Sequence, residues 1–155
     1  MPSDPLSSLL APLARWRGLF GPPTVKVPAR DPLTDLMSRQ AWMVEAEQAS
    51  EAGEGMLVVL DLDHFKRHGE RLGTKGADEL LVAAAARLRG ALPPTARLAR
   101  LGGDEFGVLM PGADPATARH AVQVALDALR WPMTVGGVVV EVTASAGLAR
   151  LTPTA

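Results

Sequence analysis

The sequence predicts an α/β sandwich, in which a mixed, mostly antiparallel, palm-like sheet is flanked by helices. Three observations carry this. The elements run helix, strand, helix, helix, hairpin, helix, hairpin, an order that suits antiparallel strands and not a doubly wound parallel sheet. Residues 56–62 read as a buried central strand, apolar throughout 56–60 and again at Leu62. The glycine pairs Gly102-Gly103 and Gly136-Gly137 then punctuate the later strands as hairpin turns.

Each element has its own local reason. Asp4-Pro5 reads as an N-cap followed by proline at the first helical position. Leu6, Leu9, Leu10, Leu13, Trp16 and Phe20 recur at helical spacing, with Pro12 expected to kink or divide the segment. This stripe suits packing or pairing, and Arg15 and Arg17 are too few basic residues to favour a membrane surface. Gly21-Pro22-Pro23 ends it, so residues 1–28 are assigned to a helix and linker and 29–155 to the domain. Ser38 caps a helix to about residue 50, with Met37 and Trp42 as a hydrophobic staple across its start. Gly53 and Gly55 break it before strand 56–62. Residues 64–72 read as a helix weakened by Gly69, 73–76 as a turn, and 77–89 as a longer helix whose alanine run suits close packing. Strands follow at 96–101 and 105–110. Asp114-Pro115 repeats the cap-and-proline start, and Ala118, Val122, Ala125 and Leu129 make the buried stripe of a helix to about Trp131. Residues 134–148 read as two strands joined at Gly136-Gly137.

Composition bounds the function. The 155 residues are 47% apolar and 21% charged, the numbers of one globular domain with a core that needs no staples. Without cysteine there is no disulfide framework, thiol nucleophile or cysteine-ligated metal. Sixteen basic against seventeen acidic residues give a net charge of −1, which argues against nucleic acid as a partner. No apolar run is long enough to span a membrane, and the N-terminus lacks a secretory pattern, so a cytoplasmic domain with no membrane partner is expected.

The chemistry sits where polar residues interrupt the apolar strands. Alternation puts Asp61 and Asp63 on one face at the end of their strand. Alone, such a pair is more often a helix cap and a solvated acid. The second interruption is Arg100-Leu101-Gly102-Gly103-Asp104-Glu105-Phe106. Its glycines let backbone amides approach a phosphate, and its acids suit Mg²⁺, which takes one or two carboxylates plus substrate phosphates. If strand 56–62 lies beside the 96–110 hairpin, Asp61 meets Asp104 or Glu105 over one site, an arrangement suited to metal-assisted phosphoryl transfer.

At these residues the sequence resembles the GGDEF family, the diguanylate cyclases. The naming pentapeptide is Gly102-Gly103-Asp104-Glu105-Phe106. Asp61-Leu62-Asp63-His64-Phe65-Lys66 matches the family's Asp-x-Asp-x-Phe-Lys segment, with Gly73 and Asp78 at the family's offsets. Asp31-Pro32-Leu33-Thr34 matches the opening turn, and Val142-Thr143-Ala144-Ser145-Ala146-Gly147 the late strand. The resemblance implies a nucleotidyl cyclase type of fold and a homodimer that joins two GTP into cyclic di-GMP. It implies that Asp61, Asp104, Glu105 and the Leu62 carbonyl hold Mg²⁺, and that Asp104, with Glu105 assisting, helps deprotonate the 3′-hydroxyl. Lys66, Gly102 and Gly103 would face the triphosphate, and Asp78, as a buried carboxylate, would accept from guanine N–H groups. Asp31 and Arg100 would pair, tying the opening turn to the hairpin.

The departures bear on activity. Gly69 stands where the family usually has an asparagine that shares guanine recognition; Glu70, Thr74 and Ala77 replace a usual Asp, His and Gly. The chain stops at Ala155, before the family's closing helical segment, which is expected to leave a sheet face uncovered and the triphosphate less neutralised. The family's inhibitory Arg-x-x-Asp would fall at Pro93 to Ala96 and is absent, so product inhibition there is not expected. Among lesser candidates, His64, His68 and His120 read as surface or cap residues in preference to a metal site. The arginines at 87, 89, 97 and 100 read as a solvated face, with an RNA patch as the other reading. Phe65 and Phe106 read as core anchors of the neighbouring acids. Two functions remain open: a working cyclase, or a weak or inactive domain that binds GTP or pairs with protein.

Overall fold

The computed structural model describes residues 28–153. The helix expected over residues 5–20 lies outside them. Among the described residues nine elements follow in order: α1 (Arg39–Ala52), β1 (Gly55–Leu62), α2 (Phe65–Ala91), β2 (Arg97–Gly102), β3 (Glu105–Pro111), α3 (Pro115–Leu129), β4 (Met133–Val135), β5 (Val138–Val140) and β6 (Ala144–Arg150). The main sheet has the order β2-β3-β1-β6, and β1, buried over most of its length, lies inside it. All its ladders are antiparallel, and an isolated bridge between Met37 and Ala99 is parallel.

Period-2 alternation sends the two faces of β1 to different partners. Met56, Val58, Leu60 and Leu62 join the larger core under α2 and α3, with Leu80, Ala84, Leu88, Val122 and Leu129. Leu57 joins a smaller cluster with Trp42, Ala46 and Leu109 under α1. Ser38 caps α1 by accepting from the Ala41 amide, and Met37 packs against the same cluster as Trp42, as a staple does. Trp42 also donates from its indole N–H to the Arg97 carbonyl at 3.1 Å. Beneath its ring lies Gly107, where a Cβ would stand 2.7 Å from ring carbon Cζ2. Glycine in mid-strand is thus the seat of the tryptophan.

Two expectations are corrected. The break between two helices falls within 73–76 as expected, but it is one residue long and not a four-residue turn. A single non-helical residue, Gly73 (φ 77°, ψ 175°), breaks α2, and Gly76 is already buried inside the resumed helix. Residues 134–148 hold three strands, not two. The Gly136-Gly137 turn joins β4 to β5 as a separate ribbon, and β6 then takes the free edge of β1. Buried Val142 between exposed Glu141 and Thr143 continues the alternation across the change of partner, so the break leaves no mark on the pattern. The capped start of α3 is as expected, with the Asp114 side chain accepting from the Thr117 amide at 2.7 Å.

Gly107→Ala is expected to lower the unfolding free energy by about 1–3 kcal/mol, because Trp42 or the strand must shift to admit the methyl group. Urea denaturation measures it; an unchanged midpoint would show that the ring is not seated on this glycine.

Candidate functional site

The acids are brought together by strand register. Antiparallel pairing sets Asp61, near the end of β1, opposite Glu105 at the start of β3. The Leu62 amide donates to the Asp104 carbonyl at 3.3 Å, so the turn carrying Asp104 is bonded to the end of β1. That turn needs its glycines: Gly102 has φ 148° and Gly103 φ 49°, and a Cβ on either would meet open space, so backbone conformation and not crowding requires glycine there. Desolvation, and next the charges of Asp104 and Asp63, push the Asp61 carboxyl above its ordinary value of 3.8.

Asp63 is treated differently. Its carboxylate accepts from the Thr143 hydroxyl at 2.6 Å and the Ser145 hydroxyl at 2.7 Å. These two bonds hold its carboxyl below the usual value. His64 follows in the left-handed region (φ 56°, ψ 30°) and starts α2 without a capping side-chain bond. Lys66 lies exposed on the first turn of α2. Asp78 lies on the same helix beyond Gly73 and is exposed, a correction to the buried carboxylate expected of it. Phe106 is fully buried and Phe65 half-buried against the larger core, the anchoring role read from the sequence.

A second network braces the glycine turn. Arg100 donates from Nε to the Gly103 carbonyl at 3.1 Å and from a terminal nitrogen to Asp31 at 3.3 Å. Burial alone would raise the Asp31 carboxyl, but the Thr34 hydroxyl and amide and the Arg100 guanidinium outweigh it and hold the group low. The other arginines also have protein partners. Arg87 reaches the carbonyls of Ala128, Trp131 and Pro132, Arg89 the Asp35 carbonyl, and Arg97 the Glu45 carboxylate. These ties lie at the surface: Arg89 and Arg97 are exposed, in keeping with the solvated face expected of them, while Arg87 and Arg100 are half-buried.

The donor set at the end of β1 fits a hard divalent cation. It is all oxygen, and the mutual repulsion at Asp61 is what an ion would relieve. Among the described residues no three acidic or histidine side chains group closely enough to hold an ion unaided, so Glu105 does not complete a protein cage with Asp61 and Asp104. Mg²⁺ usually arrives with substrate phosphates and needs only one or two carboxylates. His64, His68 and His120 form no such group either. The sequence reading did not link Asp63 to Thr143 and Ser145; the signal was there in two hydroxyls at alternate positions of the strand that pairs with β1.

A palm-like antiparallel sheet with helices on both faces, bearing acids on adjacent strand ends beside a glycine turn, defines a domain of the nucleotidyl cyclase type. Known proteins make the assignment specific. The family model for the diguanylate cyclase GGDEF domain matches residues 28–155, and the chain belongs to that family. It is 37% identical over 128 residues to the diguanylate cyclase DgcP of Pseudomonas aeruginosa, covering 76% of this chain and 18% of that protein. It is 34% identical over 123 residues to the cyclic di-GMP phosphodiesterase NbdA of the same organism, covering 76% of this chain and 16% of that protein. The chain therefore spans less than a fifth of the length of either relative. Among solved structures, the FimX GGDEF domain of Pseudomonas aeruginosa superposes with a TM-score of 0.79 at 26% identity, covering 83% of each chain. Among the described residues no helix is long and apolar enough to cross a membrane.

Because the Asp61 carboxyl titrates above its unfolded value, its ionisation opposes folding. The penalty is absent below about pH 3.8 and complete above the raised folded value. Asp61→Asn is therefore expected to raise the melting temperature in metal-free buffer at pH 7 and to match the parent at acid pH. A lower melting temperature at pH 7 would refute the crowding of acids at this strand end.

Proposed function

We propose that the chain is the catalytic domain of a diguanylate cyclase, which condenses two GTP into cyclic di-GMP with Mg²⁺ at a homodimer interface. The convergence of Asp61 and Asp104 beside the Gly102-Gly103 turn carries this reading. Asp61, Asp104 and the Leu62 carbonyl would hold the ion, which when bound supplies charge neutralisation for the triphosphate. Lys66 and the amides of the glycine turn face the phosphates and fix their orientation. Asp104 accepts the proton of one GTP's 3′-hydroxyl as that oxygen bonds to the α-phosphorus of the other, and Glu105 assists. Pyrophosphate leaves with the electron pair of the broken P–O bond. Two such steps close the ring, so each subunit presents one GTP to its partner. Asp78 accepts from guanine N–H groups and rejects adenine, which has no matching donors.

A second reading has its own support. Gly69 gives guanine recognition one partner fewer than the family's asparagine would, and a relative 34% identical is named for hydrolysing cyclic di-GMP, not for making it. On that reading the domain is a weak or inactive regulatory module that binds GTP or pairs with protein.

Incubation of the chain at high concentration with GTP and Mg²⁺, read by mass spectrometry, separates the two. The cyclase reading expects cyclic di-GMP, with Asp61→Ala and Asp104→Ala each reducing turnover by about 10²–10³-fold or more. GTP binding by calorimetry without product would support the regulatory module, and full activity in either variant would refute the assignment of the acids. A Cβ at Gly69 would lie 3.8 Å from the Ala77 Cβ, across the Gly73 break and next to Asp78, so a side chain fits there. Gly69→Asn is expected to tighten GTP binding about tenfold, the equivalent of roughly one regained hydrogen bond. Unchanged affinity would show that guanine is not read at this break.

A further inference from the structure

The geometry points to Asp63, held by Thr143 and Ser145, as a positioning residue for the cation site: a clamp between β1 and β6 that fixes Asp61 and the Leu62 carbonyl. This rests on the function proposed above. The chain leaves β1 through Leu62, Asp63 and His64 and must turn at once into α2. It does so with His64 in the left-handed region, a conformation that costs a non-glycine residue energy and persists only where neighbours hold it. No side chain caps α2 at this point. The holding contacts lie on both flanks instead. On one side the Leu62 amide donates to the Asp104 carbonyl. On the other, the Asp63 amide donates to the Thr143 carbonyl at 2.8 Å, and its two carboxylate oxygens each accept one hydroxyl, from Thr143 and from Ser145. Short O–H···O⁻ bonds of this kind are among the stronger ones a protein makes.

The clamp has two effects. It secures the peptide unit between the Asp61 carboxylate and the Leu62 carbonyl, since Ser145 is the β6 partner of Asp61 in the ladder and Ala144 the partner of Leu62. It also engages both oxygens of Asp63, turning this carboxylate to β6. Outer hydrogen-bond partners of this sort typically govern metal affinity by about 10–100-fold.

Binding of Mn²⁺ with an α,β-methylene analogue of GTP, followed by the paramagnetic resonance of free Mn²⁺, tests the clamp without turnover. Asp63→Ala is expected to weaken Mn²⁺ binding by about 10–100-fold. Asp63→Asn should restore it nearly to the parent level, because its amide can accept from one hydroxyl and donate to the oxygen of the other. Thr143→Val and Ser145→Ala should each show part of the loss, and they carry the test if Asp63→Ala does not fold. Parent-like binding in the alanine and valine variants, with binding lost in Asp61→Ala, would overturn the clamp and leave the proposed function standing. Asp63→Asn as weak as Asp63→Ala would also overturn it, since charge and not hydrogen bonding would then be at work. A parent chain that binds no Mn²⁺ with the analogue would overturn the proposed function and the clamp together.

Discussion

The structure depends on one electrostatic conflict, the meeting of like charges where β1 ends and β3 begins. Register leaves no alternative: with Leu57 opposite Leu109 and Val59 opposite Gly107, Asp61 must stand opposite Glu105, with Asp104 one residue beyond. A slip of one residue would turn every apolar side chain of β1 to the wrong face, so the two cores that fix the sheet also fix the acids. Stability of the core is thereby spent on holding a repulsive cluster, a common mark of a functional site.

What surrounds the cluster prevents it from relaxing. Arg100 grips the Gly103 carbonyl and is itself held by Asp31, whose carboxylate is fixed by Thr34. The opening turn at Asp31 and the glycine turn thus move as one unit. On the other flank, β6 engages Asp63 through two hydroxyls. Beneath, Phe106 anchors the strand that carries Glu105, and Trp42 lies on Gly107 from the α1 side. Rigid elements on every side suit a site whose proposed work is positioning and charge neutralisation more than covalent chemistry.

Much of this could be read from the sequence because the signals were local. The apolar run of β1, the Ser38 and Asp114 caps and the stripe of α3 are short-range patterns, and the structure follows them. The meeting of Asp61 with Asp104 was legible as a conditional, requiring only that strand and hairpin lie side by side. The family motifs supplied that adjacency. Other features were hidden because long-range pairing decided them. Alternation through Val140, Val142 and Ala144 cannot tell one strand from two with different partners, so β6 was missed as a separate element. Two glycines three residues apart suggest a four-residue turn, whereas one positive φ at Gly73 suffices to redirect α2. Exposure of Asp78 was equally out of reach, because it depends on how the two halves of α2 meet across that break. The bond from Trp42 to the Arg97 carbonyl joins residues 55 apart and leaves no trace in either segment.

The account stands on Asp61 and Asp104 acting on one cation, and a double-mutant cycle on cation affinity tests that most directly. Mg²⁺ binding with the uncleavable GTP analogue would be measured by calorimetry for Asp61→Asn, Asp104→Asn and the double variant. Two groups that share one ion are strongly non-additive, so the double variant should lose little more than the worse single variant. Losses that add independently, or parent-like affinity in either single variant, would contradict the account.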